Sequence, residues 1–464
     1  MKQKLSILFT LFFFVITGIS LAESTYSEKH QEKRHIPKDT LKTQGEKEKM
    51  STKKNGKLSI SFQYRPRTEY RNGYKNPLAD TLSPAFITSQ RSRIKLGYSD
   101  STFRSAISFQ DVRTWGEVNI KQDLPSSVLH EAWLEWAANK KFSVKIGRQV
   151  LKYADQRLLA ACNWNNTGAT HDMMLFKYTS QSSQIHLGMA YNNDENRLFS
   201  AYNNYPTSFY KAMQFLYVSK QFTKNLKISL LEIADGHQKE STSGISYWRT
   251  TVGLNLDYTN NQQFNASSKA YWQGGKDPFG NRSNAYFLSL DASYAFNHFK
   301  ATAGTDYFSG NDALDTTNQV NQAFDNLYGA GHRFYGNMDY FRAIEKHTRG
   351  GGLHDMYLKL GYKASRKTYA ELAFHHFRLA NRFADESYTG EGLKALDKTL
   401  GSELDFTVKY RPAPHFSVRL GYSAMFSTSA MGAIKGGNHK KVAHWGVMML
   451  TFKPGIIIHN LQNK

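Results

Sequence analysis

Beyond Ala22 this chain has no uninterrupted apolar stretch long enough to cross a bilayer as a helix, and its mean hydropathy is −0.56. Any part that enters a membrane must then be a closed barrel, because every backbone N–H and C=O has to be paired inside lipid. Proline is scarce, at 10 of 464 residues, which leaves strand ladders largely uninterrupted. Cysteine is scarcer still: Cys162 stands alone, so no intramolecular disulfide can form and an exported chain must rely on another closure. Cys162 also lies too far from the N-terminus to carry a lipid anchor, and reads as a buried or loop thiol with no chemical role. Acidic residues are in deficit, 38 Asp and Glu against 60 Lys and Arg, for a formal charge of +22. Such a surplus attracts polyanions, whether nucleic acid, lipid headgroups or acidic sugars. Aromatic residues, by contrast, are plentiful: 27 Tyr and 30 Phe bring the class to 14%, as suits a barrel with girdles at both interfaces.

Residues 1–22 carry Lys2 and Lys4, an apolar run from Leu5 to Ile16, and small residues at Ser20 and Ala22. This pattern predicts a secretory signal peptide cut after Ala22. The alternative, an anchor helix, needs roughly 18–20 apolar residues, more than the run supplies. Residues 23–56 are charged and nearly free of large apolar side chains, which predicts a disordered periplasmic leader.

Period-two alternation of apolar and polar residues marks about eighteen strand segments. They are 58–71, 86–98, 103–115, 130–138, 141–153, 171–179, 183–193, 210–222, 226–236, 246–259, 264–274, 283–296, 299–309, 353–364, 367–379, 398–412, 415–426 and 441–453. Odd-numbered connections are long, as at 152–170, 194–209, 310–352 and 380–397. Even-numbered ones are tight, as at Asn139-Lys140, Asn297-His298, Ser365-Arg366 and Ala413-Pro414. Short periplasmic turns, long external loops and an even strand count characterise bacterial outer-membrane barrels. A soluble sandwich or propeller would also show short, evenly spaced strands. Against that stand runs such as Leu58-Ile60-Phe62-Tyr64 and Tyr286-Leu288-Leu290-Ala292-Tyr294-Phe296, whose one apolar face ends in aromatic residues, as lipid bordered by an aromatic belt requires. The expected fold is all-β: a single-chain transmembrane antiparallel up-and-down β-barrel over 57–453, followed by a C-terminal tail at 454–464.

Fixing the lipid face fixes the lumen face. In the first strand the inward set is Ser59, Ser61, Gln63, Arg65, Arg67, Glu69 and Arg71, and in the second it includes Arg91, Arg93 and Lys95. The same parity turns Arg104, Lys145, Gln149, Arg249, Lys359, Lys409, Arg411 and Arg419 inward, with acids at Glu131, Glu135, Asp291, Glu371, Glu403 and Asp405. Arginines on a pore wall concentrate anions and offer flat bidentate donors to carboxylate or phosphate. They serve equally to brace a polar interior through ion pairs. Parity breaks at 210–222, 226–236 and 441–453, which are apolar on both faces, and at Arg148, which falls on the lipid side and calls for a bulge or a place at the membrane edge.

Gly147-Arg148-Gln149, then Tyr153-Ala154-Asp155-Gln156-Arg157-Leu158-Leu159, then Asn163-Trp164 and Asp172 form one block of motif. A second runs from Gly304-Thr305-Asp306-Tyr307-Phe308-Ser309-Gly310-Asn311-Asp312 through Phe324, Leu327-Tyr328, His332, Phe334-Tyr335-Gly336 and Asp339-Tyr340-Phe341. Gly352-Leu353-His354-Asp355 and Leu400-Gly401-Ser402-Glu403-Leu404-Asp405 extend it. In these blocks the chain resembles the alginate export family of outer-membrane porins over most of 57–453. The resemblance implies a monomeric barrel with an electropositive pore that passes an anionic polysaccharide outward, without catalysis or cofactor. Its setting would be outer-membrane lipid, with periplasmic export proteins as partners. Two features depart from the pattern: the chain does not end in an aromatic residue, and the charged leader is additional. Asp155, Arg157 and Asp172 are expected to hold the loop after strand five. The segment 310–352, with Phe324, Leu327, Tyr328 and Phe341, is expected to pack against something, either as an outer flap or folded into the pore.

Other functions fit less well. His375 and His376 are adjacent on a strand and face opposite ways, so they cannot share a metal. Ser309 with Asp306, and Glu403 with Asp405, lack the third group that a nucleophile or acid–base pair needs. No nucleic-acid motif is present and the signal directs the chain out of the cytoplasm. The rivals to polysaccharide export are a general anion-selective diffusion porin for small solutes and a plugged structural or adhesion barrel.

Overall fold

A computed structural model of the chain describes residues 56–461, apart from 123, 125, 197, 199–208, 240–243 and 261–262. The signal and the leader therefore lie outside the described residues, except for Gly56, which opens the first strand. The strands are β1 (Gly56–Asn72), β2 (Ala85–Ser99), β3 (Phe103–Thr114), β4 (Ser127–Ala137), β5 (Phe142–Gln149), β6 (His171–Thr179), β7 (Ser183–Tyr191), β8 (Ala212–Gln221), β9 (Leu226–Gln238), β10 (Ile245–Asn260), β11 (Phe264–Lys276), β12 (Arg282–Phe296), β13 (Phe299–Phe308), β14 (Leu353–Tyr362), β15 (Thr368–Arg378), β16 (Thr399–Ala413), β17 (Phe416–Ser427), β18 (Ala443–Phe452) and β19 (Gly455–Leu461). From β1 to β18 each pairs antiparallel with its neighbours in sequence, and β1 pairs with β18 and β19 to close the sheet. β18 and β19 are one stave interrupted at Lys453-Pro454, so the barrel has eighteen, as the alternation predicts.

Most boundaries shift by a few residues from the sequence reading, and two shifts bear on the interior and the closure. The fifth strand stops at Gln149 rather than 153, because Leu151 and Tyr153 turn into an apolar cluster inside the barrel. The last stave does not close near Phe452: past Pro454 it continues to Leu461, pairing Gly455 with Ser61 and Leu461 with Gly56. Proline has no N–H to give to the ladder, yet its carbonyl accepts from Phe62 N (3.1 Å), and the β-branched run Ile456-Ile457-Ile458 then resumes the strand. Most of the expected tail is thus wall; residues 462–464 are outside the described set.

The outer surface is apolar where lipid would lie. Phe62, Ile94, Leu96, Leu134, Ile146, Leu254, Leu288, Leu360, Phe374, Phe406, Leu420 and Met448 all stand exposed on it. Arg148 is on this face as parity requires, near the outer end of β5, where its guanidinium donates to both oxygens of Asp172 (2.9 and 2.7 Å). Both side chains are about half exposed, and each meets its opposite charge on the outer face without a bulge turning Arg148 inward.

Inside, the outer part of the barrel is filled by two loops, 150–170 and 309–352. They join through a parallel bridge between Leu159 and Tyr328, with Tyr328 N donating to Leu158 O (3.0 Å), Ala160 N to Tyr328 O (3.1 Å) and Ala330 N to Gln156 O (3.0 Å). The long segment accordingly folds inward. Its Phe324, Tyr335, Met338, Tyr340, Phe341 and Ile344 pack with Leu158 and Leu159 against Phe287, Phe308, Phe377, Leu400 and Trp445 of the wall. Burying each such side chain is worth about 1.5–3 kcal/mol. This cluster explains the broken parity: Met213, Phe215 and Tyr217 of β8, Leu231 and Ile233 of β9, and Trp445 and Val447 of β18 point inward because they meet apolar loops rather than water. A short helix, α1 (Ile344–His347), lies within the longer loop. A second, α2 (Ser429–Lys435), is capped by Thr428 and buries Ala430, Met431 and Ile434 against it.

Candidate functional site

The arginines of the first two strands meet the shorter inward loop. Arg65 donates to the carbonyls of Asn163 (2.7 Å), Trp164 (3.3 Å) and Asn165 (3.1 Å) and to Asn166 Oδ1 (2.9 Å). Arg67 donates to Trp164 O (2.9 Å), and Arg91 to Gln63 Oε1, Asn163 Oδ1 and Asn166 O. Carbonyls at the end of a tight loop lack partners of their own, and a guanidinium carries enough donors to satisfy several at once. Trp164 is then clamped, stacked on His332 at 3.9 Å between ring centroids, with Arg67 and Arg419 against its ring at 4.9 and 4.8 Å.

The longer loop is fixed by charge as well. Arg157, 5% exposed, pairs with Asp155 (2.9 Å) and with the fully buried Asp306 of β13, and donates to Tyr335 Oη (3.2 Å). Arg249 of β10 bridges Asp235 (2.7 Å) and Asp325 (2.8 Å), while Tyr328 Oη donates to Asp235 (3.2 Å). On the far side Glu403 accepts from Met338 N (2.7 Å) and Asp405 from Asn337 N (3.2 Å). Within the loop itself, burial and the charge of Asp325 push the Glu345 carboxyl up to about 7. In the outer cap, burial brings the Lys435 ammonium, which donates to Tyr340 O, down to about 7.

Two large cavities remain. The first, about 720 Å³, is bordered by Arg91, Arg93, Lys95, Lys145, Lys152, Lys177, Lys227 and Lys453, with Glu131 the one carboxylate among its described lining residues. Several of these cations are engaged: Lys95 with Glu131 (2.6 Å), Arg93 with Gln110, Lys177 with Glu135 (2.6 Å), and Lys145 over the Trp133 ring at 3.8 Å. The second, about 500 Å³, is bordered by Arg65, Lys152, Arg333, Arg342, Lys359, Lys409 and Arg419 together with Glu371 and Asp405.

Of the eleven cations expected to line a pore, Arg65, Arg91, Arg93, Lys95, Lys359 and Arg419 border these cavities. Arg67, Arg71, Arg104, Arg249 and Arg411 border neither. Arg67 and Arg71 are spent on Glu69, Arg104 on Glu135 and Arg249 on the loop-holding aspartates. Arg411 lies beyond a register shift at the periplasmic end of β16, where its N–H donates to Lys367 O. The motif residues make contacts within the fold: Gly147 adopts φ +115°, and a Cβ there would lie 2.2 Å from Ala132 O. Gln149 donates to Met173 O (3.1 Å) from full burial. Asp155 pairs with Arg157 within the loop after β5, whereas Asp172 pairs with Arg148 across β5 and β6. The residues considered for chemistry are likewise engaged. His375 bonds Asp355 (3.0 Å), His376 bonds Ser402 (3.0 Å) and Ser309 donates to Gln322 O (2.7 Å); among the described residues no group of His, Cys, Asp and Glu is arranged to hold a metal. Arg333 and Arg342 escaped the parity argument because loops carry no period, and Lys152, inside the expected segment 141–153, fell on the lipid-facing parity of Arg148; Lys177 follows the inward parity of Met173 and Leu175 and was legible.

The alginate export family model matches residues 57–443. Among solved structures the chain is similar to OprD from Pseudomonas aeruginosa, at 12% identity and a TM-score of 0.57, covering 86% of this chain and 94% of that one. It is similar also to OccAB4 from Acinetobacter baumannii, at 13% identity and 0.56, covering 86% and 98%. OpdK from Pseudomonas aeruginosa, solved with vanillate, follows at 10% identity and 0.55, covering 86% and 99%. No curated protein matches the chain in sequence. With the match running through nearly the whole barrel and both loop motifs, the chain belongs to the alginate export family and is a β-barrel channel of the bacterial outer membrane.

Proposed function

We propose that the barrel is a monomeric, non-catalytic conduit with an electropositive lumen that passes an anionic polysaccharide, an alginate-like polyuronate, across the outer membrane. The observation that carries this reading is the lining of the larger cavity, where cations face a space of about 720 Å³ with Glu131 as the opposing carboxylate. Side chains already paired, such as Lys95 and Lys177, still leave a local surplus, so a carboxylate entering the lumen is held by several weak sites rather than one tight one. Weak sites in series allow a charged chain to advance.

A second reading is favoured by the two inward loops, which narrow the lumen and are fastened on several sides. It is a general anion-selective diffusion porin for small solutes, and OpdK, one of the similar channels, is solved with vanillate. The test is a planar bilayer: reversal potential in a salt gradient, then titration with polyuronate. Anion-selective current blocked by micromolar polyuronate supports the conduit. Anion-selective current indifferent to it supports the porin, and cation-selective current refutes both.

A further inference from the structure

The two cavities share three lining residues, Lys152, Ala161 and Asn163. Ala161 is buried and uncharged. Asn163 is immobilised through both of its oxygens, the carbonyl by Arg65 and the side-chain amide oxygen by Arg91. Lys152 differs from both. Its neighbours Leu151 and Tyr153 are anchored in the apolar cluster, at 2% and 8% exposure, and Tyr153 N is tied back to Leu159 O (3.2 Å). The backbone of Lys152 is therefore fixed, while its side chain is exposed. Among the described residues it has neither an ion-pair nor a hydrogen-bond partner, unlike Lys95, Lys177 and Arg93 nearby.

We infer that Lys152 is the charge-selectivity determinant of the channel, a cation fixed at the junction through which ions pass from one cavity to the other. The inference rests on the anion-conducting reading above and deepens it. A paired lysine presents a nearly neutral dipole to a passing ion, whereas an unpaired one presents a full charge. A charge at the junction acts on both halves of the path; one in the broad part of a cavity is shared with mobile counterions and screened. Reversing a unit charge about 6 Å from the ion path, at the dielectric of water and with the screening of about 0.1 M salt, changes the anion-to-cation permeability ratio by about tenfold.

The experiment is the reversal potential across a planar bilayer in a potassium chloride gradient, for the wild-type chain, Lys152→Glu, Lys152→Gln and Lys227→Glu. Lys227 borders the first cavity alone. Correct folding of each variant is checked by the heat-dependent shift in electrophoretic mobility. The expected result is an anion-selective wild type, a roughly tenfold fall in the ratio for Lys152→Glu, about half that effect on a logarithmic scale for Lys152→Gln, and a smaller shift for Lys227→Glu. Should Lys152→Glu fold poorly, Lys152→Cys in a Cys162→Ser background takes its place. An anionic methanethiosulfonate then lowers the ratio and a cationic one restores it. If Lys152→Glu leaves an anion-selective channel unchanged, or moves it no further than Lys227→Glu does, the junction assignment fails while the anion-channel reading stands. If the wild type itself is not anion-selective, both fail.

Discussion

Substituting Arg157 by methionine keeps most of the apolar stem and removes the charge that fastens the two inward loops to the wall. The structure sets the size of the effect. Asp306 is fully buried, its Oδ1 has no hydrogen-bond partner among the described residues, and its Oδ2 meets the Arg157 guanidinium. Removing one member of a buried pair costs about 3–5 kcal/mol, because the other is left uncompensated. The cost falls on the loops rather than on the barrel, since Asp306 regains water as soon as the loops withdraw. At 1.4 kcal/mol per factor of ten, the population with loops released rises by about two to three and a half orders of magnitude. The apolar cluster around Phe324, Tyr335 and Phe341 resists this, so partial opening is expected, not a vacant barrel. Single-channel recording should show larger and noisier conductance, and proteinase should cut within 150–170 and 309–352 in folded, outer-membrane-sized barrels. Adding Asp306→Asn should restore quiet, low conductance, because the orphaned charge is gone. Wild-type conductance and protease resistance in Arg157→Met, or a double variant no better than the single one, would refute the reasoning.

Three further outcomes are expected. Arg91→Ala leaves Gln63, Asn163 and Asn166 without their shared donor, so it should expose the 162–166 turn to proteolysis and raise conductance more than it changes ion selectivity. Gly147→Ala combines a positive φ with a Cβ 2.2 Å from Ala132 O; it should cost more than about 2 kcal/mol and lower the urea midpoint of the folded barrel. Glu345 has a folded-state pKa raised to about 7 from 4.5, so the folded loop holds the proton more tightly than the free one. Its contribution is complete below about pH 4.5 and is lost as pH rises through 7. Protease resistance of the 309–352 loop should then fall between pH 5 and 8, and Glu345→Gln should flatten that dependence.

Strand number, alternation of turn and loop lengths, and the facing of most side chains were all legible, because each is a local consequence of the two-residue period. The rest depended on contacts distant in sequence. Met213, Phe215 and Leu231 looked like violations of parity because the loops they cover are distant in sequence, at 150–170 and 309–352. The same distance hid the use of Arg65, Arg67 and Arg91, which read as pore cations from the strand alone and prove to hold the carbonyls of 163–166. Arg249 misled for the same reason, its partner Asp325 belonging to the inserted loop. Lys152 could not be singled out, since what distinguishes it is the absence of a partner. The stretch 454–464 reads as a tail from sequence, and only its pairing with the start of β1 makes 455–461 part of the wall.

That stave has a bearing on how the cylinder is made. β1 is bonded along nearly its whole length on both sides, to β2 from Lys57 to Arg71 and to β18 and β19 from Gly56 to Asn72, whereas β17 reaches only as far as Phe452. The first and last staves therefore meet along a seam longer than the neighbouring one. A chain that must roll up before its ends join has its final weld there, and the last turns of that weld belong to residues 455–461. Shortening the chain after Phe452 would leave β1 with a bare lower edge on the periplasmic side, a strand end ready to pair with whatever extended segment it next encounters.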